Sequence, residues 1–94
     1  MNIETLRIFC DVMHHQSFSR GAKINDVSQS AATQSIHRVE EHFGVQLVDR
    51  SRRPFVLTPE GQVCHEGFRE VLELYDSVEA RVRSLRMEIS GLVR

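Results

Sequence analysis

Ser17-Phe18-Ser19-Arg20-Gly21-Ala22-Lys23-Ile24-Asn25-Asp26-Val27-Ser28-Gln29-Ser30-Ala31-Ala32-Thr33-Gln34 is the stretch on which the fold turns. Ser19 reads as the cap of a short helix through Arg20, Gly21, Ala22, Lys23 and Ile24, since a serine hydroxyl accepts from the unpaired N–H groups of a helix start. Gly21 and Ala22 place two small residues on one turn, which lets another helix cross closely. Asn25-Asp26 has turn chemistry. Ser28 then caps a longer helix, and Gln29 to Phe43 runs without Gly or Pro as far as Gly44, a C-terminal stop. Within it Ala32, Ile36, Val39 and Phe43 fall at spacings of four, three and four and make one apolar stripe. The opposite face carries Ser30, Gln34, His37, Arg38 and Glu41, with Gln29 and Thr33 on its flank. Short helix, tight turn and longer helix make a helix-turn-helix.

Working outward, Ile3, Leu6, Phe9, Cys10 and Met13 give the first segment, Asn2 to His15, a helical period with Asn2 as its cap. Downstream, Val45 to Arg50 and Phe55 to Leu57 are short β-favouring runs around Ser51-Arg52-Arg53-Pro54, which predicts a hairpin with a basic tip. Thr58-Pro59-Glu60 combines a cap, a proline at the first helical position and an acid in the first turn. The helix it starts is expected to run to about Ser90. Along it Cys64, Phe68, Val71, Tyr75, Val78, Val82, Leu85, Ile89 and Leu92 alternate at four and three residues, a heptad seam. A helix of about 31 residues extends about 46 Å, more than the preceding residues can cover as a compact body. The seam is therefore expected to pair with a second copy, or else to pack on a domain absent from this chain.

The 94 residues carry 12 Lys+Arg and 13 Asp+Glu, a net charge of -1 that at first argues against a nucleic-acid partner. By segment the balance differs: residues 1–18 carry -1, residues 19–58 carry +2 and residues 59–94 carry -2. Arg50, Arg52 and Arg53 form the densest cationic cluster. Cys10 and Cys64 are far apart, neither is in a CxxC pair, and reduced thiols follow. No apolar run approaches bilayer length and no signal pattern opens the chain. The five histidines lack metal-site spacing: His14 and His15 are adjacent and so point in different directions, and His37 and His42 have no completing acid or thiol. With no Gly-rich phosphate loop and no GxSxG, nothing suggests an enzyme.

In the second helix of the motif, Gln29, Ser30, Thr33 and Gln34 occupy the first two turns, where such a helix meets base edges in the major groove. A glutamine amide suits adenine, and hydroxyls serve a base or a phosphate. Arg52 and Arg53 at the hairpin tip are expected to bind phosphates or enter the minor groove. Ser28 and Arg38 join the phosphate-contacting set. Arg50 stands between a phosphate contact and a structural ion pair, and His37 between a DNA contact and a solvated side chain.

Ser17-Phe18-Ser19, Ala22, Val27-Ser28-Gln29, Ala31, Ile36, Arg38-Val39-Glu40, Gly44-Val45, Leu47, Arg50 and Leu57-Thr58-Pro59-x-Gly61 follow one another in one order without gaps. In them nearly the whole chain resembles the N-terminal DNA-binding domain of LysR-type bacterial transcriptional regulators. The resemblance implies a mostly α fold with a small β-hairpin: a winged helix-turn-helix over 1–58, a linker helix over 59–90 forming a dimeric coiled coil, and at 91–94 the start of a truncated C-terminal effector-binding domain. It implies Gln29, Ser30, Thr33 and Gln34 as recognition positions and Arg53 as a wing contact. Phe68, Val71, Tyr75, Val78, Val82, Leu85 and Ile89 form the implied dimer interface. The implied partners are promoter DNA, with an inverted repeat of the T-N11-A type, and a second copy, with tetramers in the full-length protein. No cofactor is implied in this domain; a small-molecule inducer belongs to the missing one. The implied location is the bacterial cytoplasm, at the nucleoid through DNA. The chain departs from the family pattern at Ser30, commonly Pro, at Thr33, where Ser is usual, and at Val48, usually Phe. Asn25 replaces an apolar residue, and Ile24 is expected to turn inward in its place.

Two other classes fit the same features less well: a winged-helix regulator that senses ligand or metal within this domain, and an interaction module whose basic wing binds an acidic protein.

Overall fold

A computed structural model of the chain describes residues 1–91, with side chains described through Met87. Four helices and a two-stranded hairpin follow in the order α1 (Ile3–His15), α2 (Phe18–Ile24), α3 (Gln29–Phe43), β1 (Val48–Asp49), β2 (Val56–Leu57) and α4 (Pro59–Gly91).

α1 is the centre of the core, with Leu6, Ile8, Phe9, Cys10, Val12 and Met13 all buried. Asn2 caps it, its Oδ1 accepting from Thr5 N at 2.9 Å. The helix ends where Gln16 takes a left-handed conformation, φ 49°. The chain leaves that corner extended at Ser17, which makes Ser17, not Ser19, the cap of α2: its hydroxyl accepts from Arg20 N at 3.1 Å. Ser19 lies inside the first turn. α2 crosses α1 at Gly21, where a Cβ would stand 2.3 Å from Val12 Cγ2, so the small residue is what allows the approach.

The turn after α2 corrects a second expectation. Ile24 stays outside, 55% exposed, and Asn25 turns inward. Its Nδ2 donates to Asp11 Oδ2 at 2.8 Å and to the Gly21 carbonyl at 2.9 Å, so polar partners from α1 and α2 replace an apolar contact.

α3 starts at the Ser28 cap, which accepts from Ala31 N at 3.0 Å, and ends at Gly44 with φ 70°. Ala32, Ile36 and Val39 are fully buried against α1 and α2. Phe43, the last member of that stripe, is instead 46% exposed at the end of α3, where its ring lies 6.3 Å from Phe68 and 4.9 Å from His42 between centroids.

The strands are two residues each, with Val48 opposite Leu57 and Asp49 opposite Val56. Beyond them Thr58 N still donates to the Leu47 carbonyl at 3.0 Å, while side chains take other flanking backbone groups. The buried Glu40 carboxylate accepts from Leu47 N at 2.9 Å and Val48 N at 3.4 Å, and the Thr58 hydroxyl donates to the Gln46 carbonyl at 2.7 Å. That same hydroxyl caps α4 by accepting from Gly61 N at 3.0 Å. A Cβ at Gly61 would stand 2.0 Å from the Leu47 carbonyl oxygen, so the wing and the first turn of α4 touch backbone to backbone.

α4 spans 33 residues and gives the molecule a long dimension of 58 Å. Its seam divides. Cys64 and Phe68 are seated on the chain's own core, where the Phe68 ring meets Phe9 edge-on at 5.5 Å, and Leu72, outside the seam, is buried with them. Val71, Tyr75, Val78, Val82 and Leu85 face solvent at 39–58% exposure. The helix continues one residue past Ser90. The Ile89 side chain and residues 92–94, with Leu92 and most of the expected start of a further domain, lie outside the described residues.

Candidate nucleic-acid interface

The apolar stripe of α3 is spent on the core, which leaves the opposite face outward. Gln29, Ser30, Gln34, His37 and Arg38 are exposed and Thr33 is half-buried. Ser28 has its oxygen engaged as the cap, so its hydroxyl hydrogen remains available to an acceptor such as a phosphate. His37 Nδ1 lies 3.6 Å from Glu40 Oε1.

The hairpin brings its cations to the same side. Arg52 and Arg53 are exposed at the tip. A groove of about 390 Å³ joins them to Gln29 at the start of α3, with Ser17, Phe18, Ser19 and Phe55 also in its lining. The two rings pack at 5.1 Å between centroids, and Gln16 Nε2 donates to the Phe55 carbonyl at 2.9 Å, so the corner between α1 and α2 holds the wing in place. At the wing's base Asp49 accepts from the hydroxyl and N–H of Ser51, which, with Arg52 nearby, keep its carboxyl below the usual range.

Arg50 takes the structural alternative. Its Nη1 lies 3.7 Å from Glu40 Oε2 and its guanidinium 5.7 Å from the centre of the Phe18 ring. Glu40 thus ties α3 to the wing through two backbone N–H groups and one arginine, a role that surface patterning did not reveal. The available signal was an acid on the apolar side of α3, next to Val39, where an unpaired carboxylate is costly. Arg20 and Lys23 were also outside the expected contact set. They line a second groove, about 620 Å³, that shares Gln29 with the first.

The arrangement offers amides and hydroxyls on a protruding helix, flanked on both sides by guanidinium and ammonium groups. Burial, reinforced by Asp11 and opposed by Arg69, pushes the Cys10 thiol up to about 11, and burial raises Cys64 as well. Among the described residues no three His, Cys, Asp or Glu side chains converge on a point that could hold a metal. His14 and His15 meet edge to face, 4.8 Å between ring centroids with their planes at 85°.

Residues 3–62 match the bacterial regulatory helix-turn-helix protein, lysR family. The chain belongs to the LysR family. It is 33% identical over 93 residues to the uncharacterized HTH-type transcriptional regulator YfeR of Shigella flexneri, covering 99% of this chain and 30% of that protein. It is also 33% identical over 82 residues to the HTH-type transcriptional regulator BenM of Acinetobacter baylyi, covering 87% of this chain and 26% of BenM. The chain therefore spans about a third or less of the length of these two regulators. Among solved structures, the DNA-binding domain of BenM in complex with catB site 1 DNA matches at TM-score 0.86 and 29% identity, over 92% of this chain and 96% of that one. Vibrio fischeri DarR in complex with DNA matches at TM-score 0.84 and 25% identity, over 93% of this chain and 30% of that one. The winged helix-turn-helix with a long C-terminal helix is thus the LysR-family DNA-binding architecture, and the family is one of regulators, not of enzymes. Among the described residues no helix is long and apolar enough to cross a membrane.

Proposed function

We propose that this LysR-family chain binds double-stranded promoter DNA in a sequence-specific manner, as a homodimer. α3 enters the major groove, where Gln29, Ser30, Thr33 and Gln34 read base edges and the Gln amides favour adenine. Arg52 and Arg53 sit at the flanking minor groove or phosphates, and Ser28, His37 and Arg38 contact the backbone. Arg50 acts first as the brace between wing and α3. The observation that carries this reading is the groove in which Gln29, Arg52 and Arg53 share one concavity. The structural likeness to the BenM domain in its DNA complex supports it.

A two-fold dimer calls for an inverted repeat, here of the T-N11-A type. The dimer interface runs along Val71, Tyr75, Val78, Val82, Leu85 and onward through Ile89, with Phe68 behind it in the protomer's own core. In the same reading residues 1–58 are the DNA-binding unit, 59–90 the linker helix and 91–94 the approach to an effector-binding domain, which binds the small-molecule inducer and joins dimers into tetramers. The protein then works in the cytoplasm, held at the nucleoid by its operator.

Fluorescence anisotropy with operator and scrambled duplexes at two salt concentrations tests the reading. Gln34→Ala is expected to cost about 1–3 kcal/mol on the operator and to relax preference at one base pair per half-site. Equal loss on scrambled DNA would take Gln34 out of base reading. Arg53→Ala is expected to weaken binding to both duplexes and to lower the salt slope by about one per protomer; an unchanged slope would remove Arg53 from the contact set.

A further inference from the structure

α4 leaves the body at Asp76. Before it, one face of the helix is seated, through Gly61, Phe68 and Leu72. Beyond it, every residue from Ser77 to Met87 is exposed. At this exit Arg7 of α1 grips the helix with both arms of its guanidinium: Nη2 donates to Asp76 Oδ1 at 2.7 Å and Nη1 to Oδ2 at 3.4 Å. The same guanidinium lies 5.9 Å from the centre of the Tyr75 ring. Tyr75 belongs to the apolar row that faces outward. Arg7 therefore belongs to the body by its backbone, binds the exit point by its fork and lies over the first ring of the outward row beside it.

A planar fork on a carboxylate restrains angle as well as distance, which a single hydrogen bond does not. The restraint matters because of leverage. The 15 residues beyond Asp76 make an arm of about 22 Å, and a pivot of about 5° at its base moves the far end by about 2 Å. Two protomers joined along their arms add their pivots, and the sum is comparable to the rise of about 3.4 Å per base pair.

We propose that Arg7, through Asp76 and Tyr75, is a positioning residue that sets the angle at which α4 leaves the DNA-binding body, and with it the half-site separation the homodimer prefers. The inference rests on the dimeric DNA-binding reading above. Arg7 is on the opposite side of the problem from Gln34 and Arg53: it chooses where the second half-site must lie, and neither reads a base nor holds a phosphate.

The test uses the full chain and a series of duplexes carrying the same two half-sites at the preferred separation and at one base pair more or less, with a single half-site duplex as reference. Wild type is expected to favour one separation. Asp76→Asn and Arg7→Gln are each expected to lose about two- to fivefold of that preference, the range an exposed pair can supply, while single-site affinity and sedimentation as a dimer hold. The two variants change the charge in opposite directions, so a common loss of spacing preference separates geometry from general electrostatics. The double variant is expected to lose no more than either single one, and the swapped pair Arg7→Asp with Asp76→Arg to regain part of the preference. Wild-type preference in both single variants, with the dimer intact, overturns the role, as does a loss that is equal on single-site and two-site duplexes. A wild-type chain that sediments as a monomer, or favours no separation, removes the dimeric reading itself and Arg7's role with it.

Discussion

From Pro59 to Asp76 α4 lies along its own chain, with Gly61 and Leu72 buried and Phe68 against Phe9. The four-three spacing that seats Cys64 and Phe68 already turns outward at Val71 and Tyr75, and from Ser77 onward it carries Val78, Val82 and Leu85 into solvent. One periodicity thus serves two surfaces. A heptad pattern reports that a helix has an apolar face in need of cover, and it leaves open which surface supplies the cover. Here the body reaches about five turns up the helix, as far as Arg7 on α1 extends, and among the described residues every one from Ser77 to Met87 is exposed.

The largest expected effect breaks the distal half. Val78→Asp places a charge amid the exposed row and is expected to turn dimers into monomers by analytical sedimentation. The loss of linked binding then weakens the two-half-site operator complex by roughly a hundredfold or more. A dimer that survives the change would mean that the distal row is covered in some other way.

Next comes the proximal half. Leu72→Ala empties a buried site against α1 and is expected to cost about 2–5 kcal/mol in denaturant unfolding. Val78→Ala, the same kind of truncation farther along, is expected to leave the stability of a monomeric body almost unchanged. Equal losses at both positions would erase the distinction between the halves.

The smallest effect sharpens the boundary between α4 and the body. His65 Nε2 is buried in the proximal half without a hydrogen-bond partner. Burial, Arg69 and His14 hold its imidazole below the usual value, against an opposing pull from Glu66. The unfolded chain therefore takes up this proton at the ordinary value near 6.5 and the folded chain only at lower pH. Stability from this group is complete above that value and declines as pH falls through the folded one. The Tm is expected to drift down by a few degrees at most on mild acidification, and His65→Gln to flatten the drift. No difference between the two pH profiles would mean that the imidazole is solvated on both sides of folding.

Much of this fold is legible in short stretches of sequence because caps and stops are local chemistry. Asn2, Ser28, Gly44 and Thr58 each mark the end of an element by what their own side chains and backbones can do, and each does so in the structure. The choice between Ser17 and Ser19 was not legible, since it depends on Gln16 entering a left-handed conformation at the corner of α1. Nor was the exchange of Ile24 for Asn25, which rests on Asp11 from another helix. Among the interface residues, the outward face of α3 follows from helical geometry alone. Arg50 does not, because its neighbours Glu40 and Phe18 lie 10 and 32 residues away in the chain.

By itself the sequence determined the helix-turn-helix, the basic hairpin, the long heptad helix and the family, since all of these depend on residue type and spacing within a few turns. It also placed the positive charge in residues 19–58 against a net charge of -1. Tertiary structure alone decided how the elements meet. It put Gln29, Arg52 and Arg53 around one groove, made Glu40 the brace between α3 and wing, and split the seam of α4 after Phe68. Those outcomes depend on contacts between residues distant in the chain, and such contacts are set by the packing of whole helices, which no local pattern specifies.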